Sequence, residues 1–184
     1  NVGVWCRHDL RLSDNPALVK AVHPGNVLPI YIYDDANPKE AQPGSASRVW
    51  LHHSLKSLNK SLDNRLAFFK GDPLDLIPKL VAQYQISHVF WNRQYEPWAI
   101  ARDKLVKKCL KESKLNVESH NGSLLWEPWN INKADGTPYR VFTPFYLKGC
   151  LSSTEPRKPI PEPKNIKYIE HQERNALDEI GLLP

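Results

Sequence analysis

Three clusters of hydrogen-bonding side chains stand out, each directly after a strand-like apolar run. Arg7, His8, Asp9, Arg11, Asp14 and Asn15 follow residues 2–6; Asp34 and Asp35 follow 27–33; Asn92, Arg93, Gln94, Tyr95 and Glu96 follow 89–91. If the runs are parallel strands, these clusters meet at the carboxyl edge of one sheet, where open α/β sheets bind ligands. Their chemistry suits a planar polar ligand: the carboxylates of Asp34 and Glu96 can accept from ring or amide N–H groups, while the guanidiniums of Arg7 and Arg48 can meet an anion or stack on a ring. A purely structural role is equally open to the first cluster, with Arg7, Asp9, Arg11 and Asp14 locking the loop through internal ion pairs.

Other chemistries find less support. The first loop lacks the G-x-G-x-x-G that seats a pyrophosphate on a helix N-terminus, and no G-x-x-x-x-G-K-[ST] occurs. His52 and His53 are neighbours on an expected helix, point in different directions and have no assignable carboxylate partner, so they read as surface or core histidines. Cys6, Cys109 and Cys150 are odd in number, far apart and without a C-x-x-C spacing, which predicts reduced thiols rather than disulfides or a zinc site. No catalytic residue and no metal site is expected.

The elements that must position these clusters follow from periodicity. Apolar runs at 2–6, 27–33, 66–69 and 89–91, with another at 115–118, alternate with amphipathic stretches in the βαβα rhythm of a parallel sheet. Leu51, Leu55, Leu58 and Leu62 make one helical face, Ile77, Leu80, Val81 and Tyr84 the next, and Trp98, Ala101, Leu105 and Cys109 a third. Asn15-Pro16 and Asp72-Pro73 each supply a capping side chain and a proline at the first helical position. The expectation is a five-stranded, doubly wound parallel sheet with helices on both faces. From about Trp129 the composition changes, and the proline-rich stretch 156–163 cannot sustain a helix or a central strand. Residues 1–128 therefore read as the α/β domain, and 129–184 as a connector that begins packed and ends extended, with more chain expected after Pro184.

At 184 residues and 41% hydrophobic content the chain can bury one core. No apolar run reaches the roughly 18–20 residues of a bilayer span, and no secretory signal is visible, so no membrane contact and a cytoplasmic location are expected. The net charge of +5 is weak evidence for a polyanion partner. The densest basic stretch, Arg102, Lys104, Lys107, Lys108, Lys111 and Lys114, reads first as the solvated face of a helix and second as a DNA contact.

The opening VWCRHDLRLSDNPAL resembles that of the photolyase/cryptochrome family, usually V-W-F-R-x-D-L-R-L-x-D-N-P-A-L. Further similar motifs follow in family order: SRVWLHHSLKSLNKSL, FFKGDPLDLIPKL, VFWNRQYEPWAIARD and GSLLWEPWNINKADGTPYRVFTPFYLKGC, with a final IGLLP like the family's linker. The resemblance implies the Rossmann-like antenna domain of a DNA photolyase, a lyase that splits pyrimidine dimers in UV-damaged DNA by light-driven electron transfer from reduced FAD. By this resemblance FAD and the lesion pocket belong to a C-terminal helical domain outside this chain, which alone would be inactive; the chain is expected to be monomeric.

Arg7, Asp34, Arg48, Gln94 and Glu96 resemble positions lining a deazaflavin-type antenna pocket. Deazaflavin binders often carry aspartate where Gln94 stands. Folate binders use an asparagine–glutamate pair where this chain has Trp98 and Ala99, and Cys6 stands where phenylalanine is usual. The antenna chromophore is left open among deazaflavin, FMN, folate in another pose, and none. Two other readings are a cryptochrome-type blue-light receptor without repair, and a stand-alone nucleotide-binding module of the universal-stress type. The missing phosphate loop and the long connector count against the last.

Overall fold

The apolar runs fold as strands β1 (Val2–Cys6), β2 (Val27–Tyr33), β3 (Ala67–Lys70), β4 (His88–Asn92) and β5 (Asn116–His120). Helices α1 (Pro16–Ala21), α2 (Ser45–Ser61), α3 (Pro73–Gln83) and α4 (Pro97–Glu112) connect them. This is a computed structural model, and it describes residues 1–38, 41–170 and 176–183. The strands form one all-parallel sheet in the order β3-β2-β1-β4-β5. The chain direction across the sheet therefore reverses between β1 and β4, which places the ligand-binding crevice of such sheets at the ends of those two strands.

Side chains alternate across the sheet, and both sides are covered. Val2, Val4 and Cys6 of β1 pack with Ala17 and Leu18 of α1 and Leu55 and Leu58 of α2. Trp5 faces the other way, joining Ile77 and Leu80 of α3 and Val106 and Leu110 of α4. Both expected caps are present: the Asn15 side chain accepts from the Leu18 N–H and that of Asp72 from the Leu74 N–H.

The face expected for α4 is corrected. Its buried residues are Ala99, Arg102, Val106 and Leu110, whereas Ala101 is exposed and Leu105 is 55% exposed. The true stripe is one residue further along the chain, a rotation of about 100°. A periodicity count that admits only apolar residues passes over it, because an arginine occupies one of its four places. Arg102 accordingly leaves the solvated basic face to which the sequence assigned it.

The segment after β5 winds over the body of the domain. Val27 donates to Lys167 O at 2.7 Å and accepts from Ile169 N at 3.0 Å, so Tyr168 forms a parallel bridge beside the start of β2. That edge is free because β3 pairs with β2 only from Ile30 onward. Ile180 and Leu182 are fully buried in the core beneath α1 and α2; Pro184, the last residue of the linker-like motif, lies outside the described residues. Nearer the middle of this segment, Asp14 accepts from the Arg157 guanidinium and from Ile160 N at 3.2 Å.

The Arg157 hydrogen bond is the largest influence holding the Asp14 carboxyl below its ordinary 3.8. A depressed carboxyl favours the fold fully above pH 3.8, and the contribution is lost as pH falls through the native value. Arg157→Ala is expected to return the Asp14 pKa toward 3.8, read by the carboxyl resonance in an NMR titration. An unchanged titration would show that Arg157 does not hold this carboxylate.

Candidate functional site

At the β1/β4 crevice the first loop is closed by side chains. Asn92, at the end of β4, donates to the Asp9 carboxylate and to Asn15 Oδ1 (2.7 Å), and its own Oδ1 accepts from Ala17 N at 3.2 Å. Asp9 also accepts from Arg7 N at 2.8 Å, and Arg11 donates to the carbonyls of Asp14 and Gly122. The free N–H groups of α1, which would receive a phosphate in a dinucleotide site, are thus capped from within. Asp9, Arg11 and Asp14 do lock this loop, but chiefly through hydrogen bonds to Asn92 and to backbone groups; among the described residues the one ion pair within the set is Arg11–Asp14, at 3.9 Å.

Arg7 does not join that lock through its side chain. Its guanidinium runs under the carboxyl ends of β1 and β4 and meets Asp103 of α4 at 2.6 Å and the Asn92 carbonyl. Arg102, the next residue along the buried stripe, donates to Asp34 at the end of β2 (3.0 Å), to Asp103 (2.9 Å) and to Gln94 Oε1 (2.7 Å). Two guanidiniums and two carboxylates thereby neutralise each other in a nearly dry setting, with the four side chains 4–13% exposed. Asp34 is held further by the Ala36 and Asn37 N–H groups and the Asn37 amide. Burial pushes the Arg7 guanidinium pKa down, and neighbouring Asp103 partly offsets the effect.

Aromatic rings sandwich the charges. The guanidinium carbons of Arg7 and Arg102 stand 4.6 and 4.8 Å from the centre of the Trp5 ring, and Arg102 is 5.0 Å from that of Trp98. Above this floor opens a cavity of about 470 Å³, walled by Tyr31 and Tyr33 of β2, Ser47 and Leu51 of α2, and Trp98 of α4. Arg7, Asp34, Gln94 and Glu96, four of the five residues expected from sequence, line it together. Arg48 does not; it lies one residue beyond Ser47 and donates to Ser45 Oγ at 3.4 Å. Glu96 stands at the rim beside His8, 3.9 Å away, and precedes the first turn of α4 without capping it.

Arg102, Asp103 and Trp5 were not singled out as site residues by the sequence. One signal could have found the charged pair: an Arg-Asp step whose arginine falls in register with Ala99 and Val106. Ala99 entered only as a departure from a folate-binding pattern, and Trp98 both as such a departure and as part of the expected α4 face; Trp98 walls the cavity, and Ala99 is buried in the helix packing. Gln94 stands where an aspartate is common, and its amide oxygen supplies an acceptor for Arg102.

No nucleophile is prepared here. Burial, followed by the nearby Asp9 charge, pushes the Cys6 thiol far up, which keeps it protonated. Among the described residues no group of three or more His, Cys, Asp or Glu side chains could hold a metal ion, and no helix is long and apolar enough to cross a membrane. The site can bind and orient a flat polar molecule.

The chain matches the family model described as DNA photolyase over residues 2–164. It is 43% identical over 168 residues to a deoxyribodipyrimidine photo-lyase of Agrobacterium fabrum, covering 89% of this chain and 34% of that protein. It is 36% identical to cryptochrome-2 of Arabidopsis thaliana, covering 97% of this chain and 30% of that one. A solved bacterial class III photolyase from Agrobacterium tumefaciens superposes with a TM-score of 0.90 at 40% identity, over 100% of this chain and 38% of the other. The chain therefore spans about a third of the length of these relatives, and motifs, sheet order and superposition agree that it belongs to the DNA photolyase family.

Proposed function

We propose that this chain is the antenna-chromophore domain of a light-dependent DNA repair enzyme, and that the 470 Å³ cavity holds the chromophore. Its size falls within the roughly 300–1,000 Å³ of small-molecule sites. The observation that carries the reading is the convergence on one cavity of Arg7, Asp34, Gln94 and Glu96 with the rings of Trp5, Tyr31, Tyr33 and Trp98. A flat heterocycle with polar edges is the kind of group that such a mixture of ring faces and charged or amide side chains receives.

An antenna chromophore would absorb light and pass the excitation to a flavin. This chain's own residues bind and orient it. The paired charges of Arg7, Arg102, Asp34 and Asp103 need no reorganisation on binding, and the tyrosine and tryptophan walls supply ring faces for it. Glu96 offers an acceptor to a ring N–H group from the rim, while Asp34, already engaged by Arg102, Asn37 and two backbone N–H groups, holds Arg102 in place beneath it. By the family resemblance, FAD and the dimer-binding pocket belong to a helical domain outside this chain.

A second reading has a specific observation behind it, the 36% identity to a cryptochrome across 97% of the chain. One experiment separates the readings. The 184-residue chain is expected to bind no FAD and to split no pyrimidine dimer under light, whereas the protein extended through its helical domain does both. FAD bound by the extended protein without dimer repair would move the assignment to a light receptor. Stoichiometric FAD on the 184-residue chain would overturn the division of labour altogether.

A further inference from the structure

A second cleft, of about 240 Å³, opens on the far side of α4, between that helix and the end of β5. Trp91, Tyr95, Ile100 and Trp129 make its apolar walls, and Lys104 and Lys107 stand at it. Trp129 is 57% exposed, yet it is not loose: the Arg93 guanidinium carbon lies 5.7 Å from its ring centre and the Tyr95 ring 6.4 Å away. Arg93 is in turn fixed by Glu127 at 2.6 Å, which also accepts from the Tyr95 hydroxyl at 2.7 Å. An indole held in place and left half open to water is a platform for another ring.

The charges leave an imbalance. The two buried or half-buried groups of opposite sign at the cleft are already matched, Arg93 by Glu127 and Asp103 by Arg7 and Arg102. Among the described residues neither Lys104 nor Lys107 has a carboxylate within ion-pair distance, and Lys107 reaches only Ser119 Oγ at 3.4 Å. Burial lowers the Lys107 pKa, with Lys111 and Arg93 pushing the same way; an anion at this spot would relieve all three. Lys104, Lys107, Lys108 and Lys111 share one face of α4, within an arc of about 100°. Only Lys108 is paired, with Glu112 at 3.9 Å.

We propose that this cleft binds one nucleotide unit, its base in the cleft against Trp129 and its phosphate on Lys104 and Lys107. The volume is below the roughly 300 Å³ at which sites for larger ligands begin, so it admits one ring system and leaves the sugar and phosphate outside, on the lysine row. A free nucleotide and an exposed base of single-stranded DNA share this chemistry. The inference is independent of the chromophore assignment, because Trp129, Lys104 and Lys107 do not line that cavity.

The test measures binding of the chain to labelled dodecathymidylate by fluorescence anisotropy over a range of salt, and to thymidine monophosphate by calorimetry. Stacking of a base on an aromatic ring predicts a loss of about 5- to 150-fold in Trp129→Ala, with Trp129→Tyr recovering most of it. Lys104→Gln combined with Lys107→Gln should flatten the log-affinity against log-salt slope for the strand by about 0.7–1.4, corresponding to one or two phosphate contacts. All variants should melt close to the wild type, since Trp129 and Lys104 are exposed and Lys107, half-buried, gives up only a 3.4 Å hydrogen bond to Ser119 Oγ. Tighter binding of the monophosphate than of the strand would identify a free nucleotide as the ligand, and the reverse a single strand. Variants that bind like the wild type, an abasic strand that binds as tightly as the thymidylate, or no binding of either ligand at low salt would each overturn the proposal.

Discussion

Arg102→Ala is expected to cost the protein about 3–5 kcal/mol of unfolding free energy, the range measured when one partner of a buried ion pair is removed. The substitution strands two carboxylates at once. Asp34 keeps its backbone N–H donors and the Asn37 amide; Asp103 keeps only Arg7. Gln94 loses its donor, and Trp5 and Trp98 lose the guanidinium between them. Arg102→Lys should recover only part of the loss, because a point charge cannot serve Asp34, Asp103 and Gln94 in the way the planar fork does. Urea denaturation of the three proteins measures this directly. A loss under about 1 kcal/mol, the scale of a solvated ion pair, would mean that water reaches this network.

Gly122→Ala is expected to be nearly as damaging, although the new methyl is small. A Cβ at Gly122 would stand 2.5 Å from Asn92 Cγ and 2.7 Å from its Cβ. Asn92 cannot yield cheaply, since it is 2% exposed and bonded to Asp9, Asn15 and Ala17. Overpacking of about 1–3 kcal/mol, together with hydrogen bonds broken if Asn92 moves, places the loss at about 2–4 kcal/mol. The diagnostic is a double-mutant cycle. Asn92→Gly, which removes the Cβ and Cγ that the new methyl meets, should be destabilising alone, yet Gly122→Ala on that background should cost at least about 1 kcal/mol less than in the wild type. Strict additivity would show that the backbone at Gly122 moves aside and the side chain of Asn92 is not what it meets.

Both effects arise at places where the sequence was hardest to read. Strands β1 and β2 were legible to the residue because each is an uninterrupted apolar run, as strands covered on both faces must be. The caps at Asn15 and Asp72 were legible because a capping side chain followed by proline is local chemistry. Leu51, Leu55, Leu58 and Leu62 gave the right face of α2, three of them fully buried. The face of α4 was not legible, because its buried stripe contains a charge, and what makes Arg102 an interior residue is Asp34, 68 positions away.

The site divides in the same manner. Arg7, Asp34, Gln94 and Glu96 converge because strand ends in a parallel sheet must converge, which a list of apolar runs already implies. Arg48 sits on a helix, and whether it or Ser47 faces the cavity depends on a rotation of about 100° that α2 takes from its packing. Asp103 and Trp5 are invisible to such reasoning: the first matters only as the partner of two arginines, and the second is a core residue whose ring carries both guanidiniums.

The absorption spectrum of the protein extended through its helical domain, purified under dim light, tests the chromophore assignment most directly. Glu96 is a half-exposed rim residue, and its removal should change stability by no more than about 0.5 kcal/mol. The account predicts a second near-ultraviolet or blue band beside that of FAD, largely lost in Glu96→Ala while the melting temperature and the flavin band stay in place. A wild-type spectrum of flavin alone, or a second band that persists in Glu96→Ala or disappears only in step with the melting temperature, would contradict it.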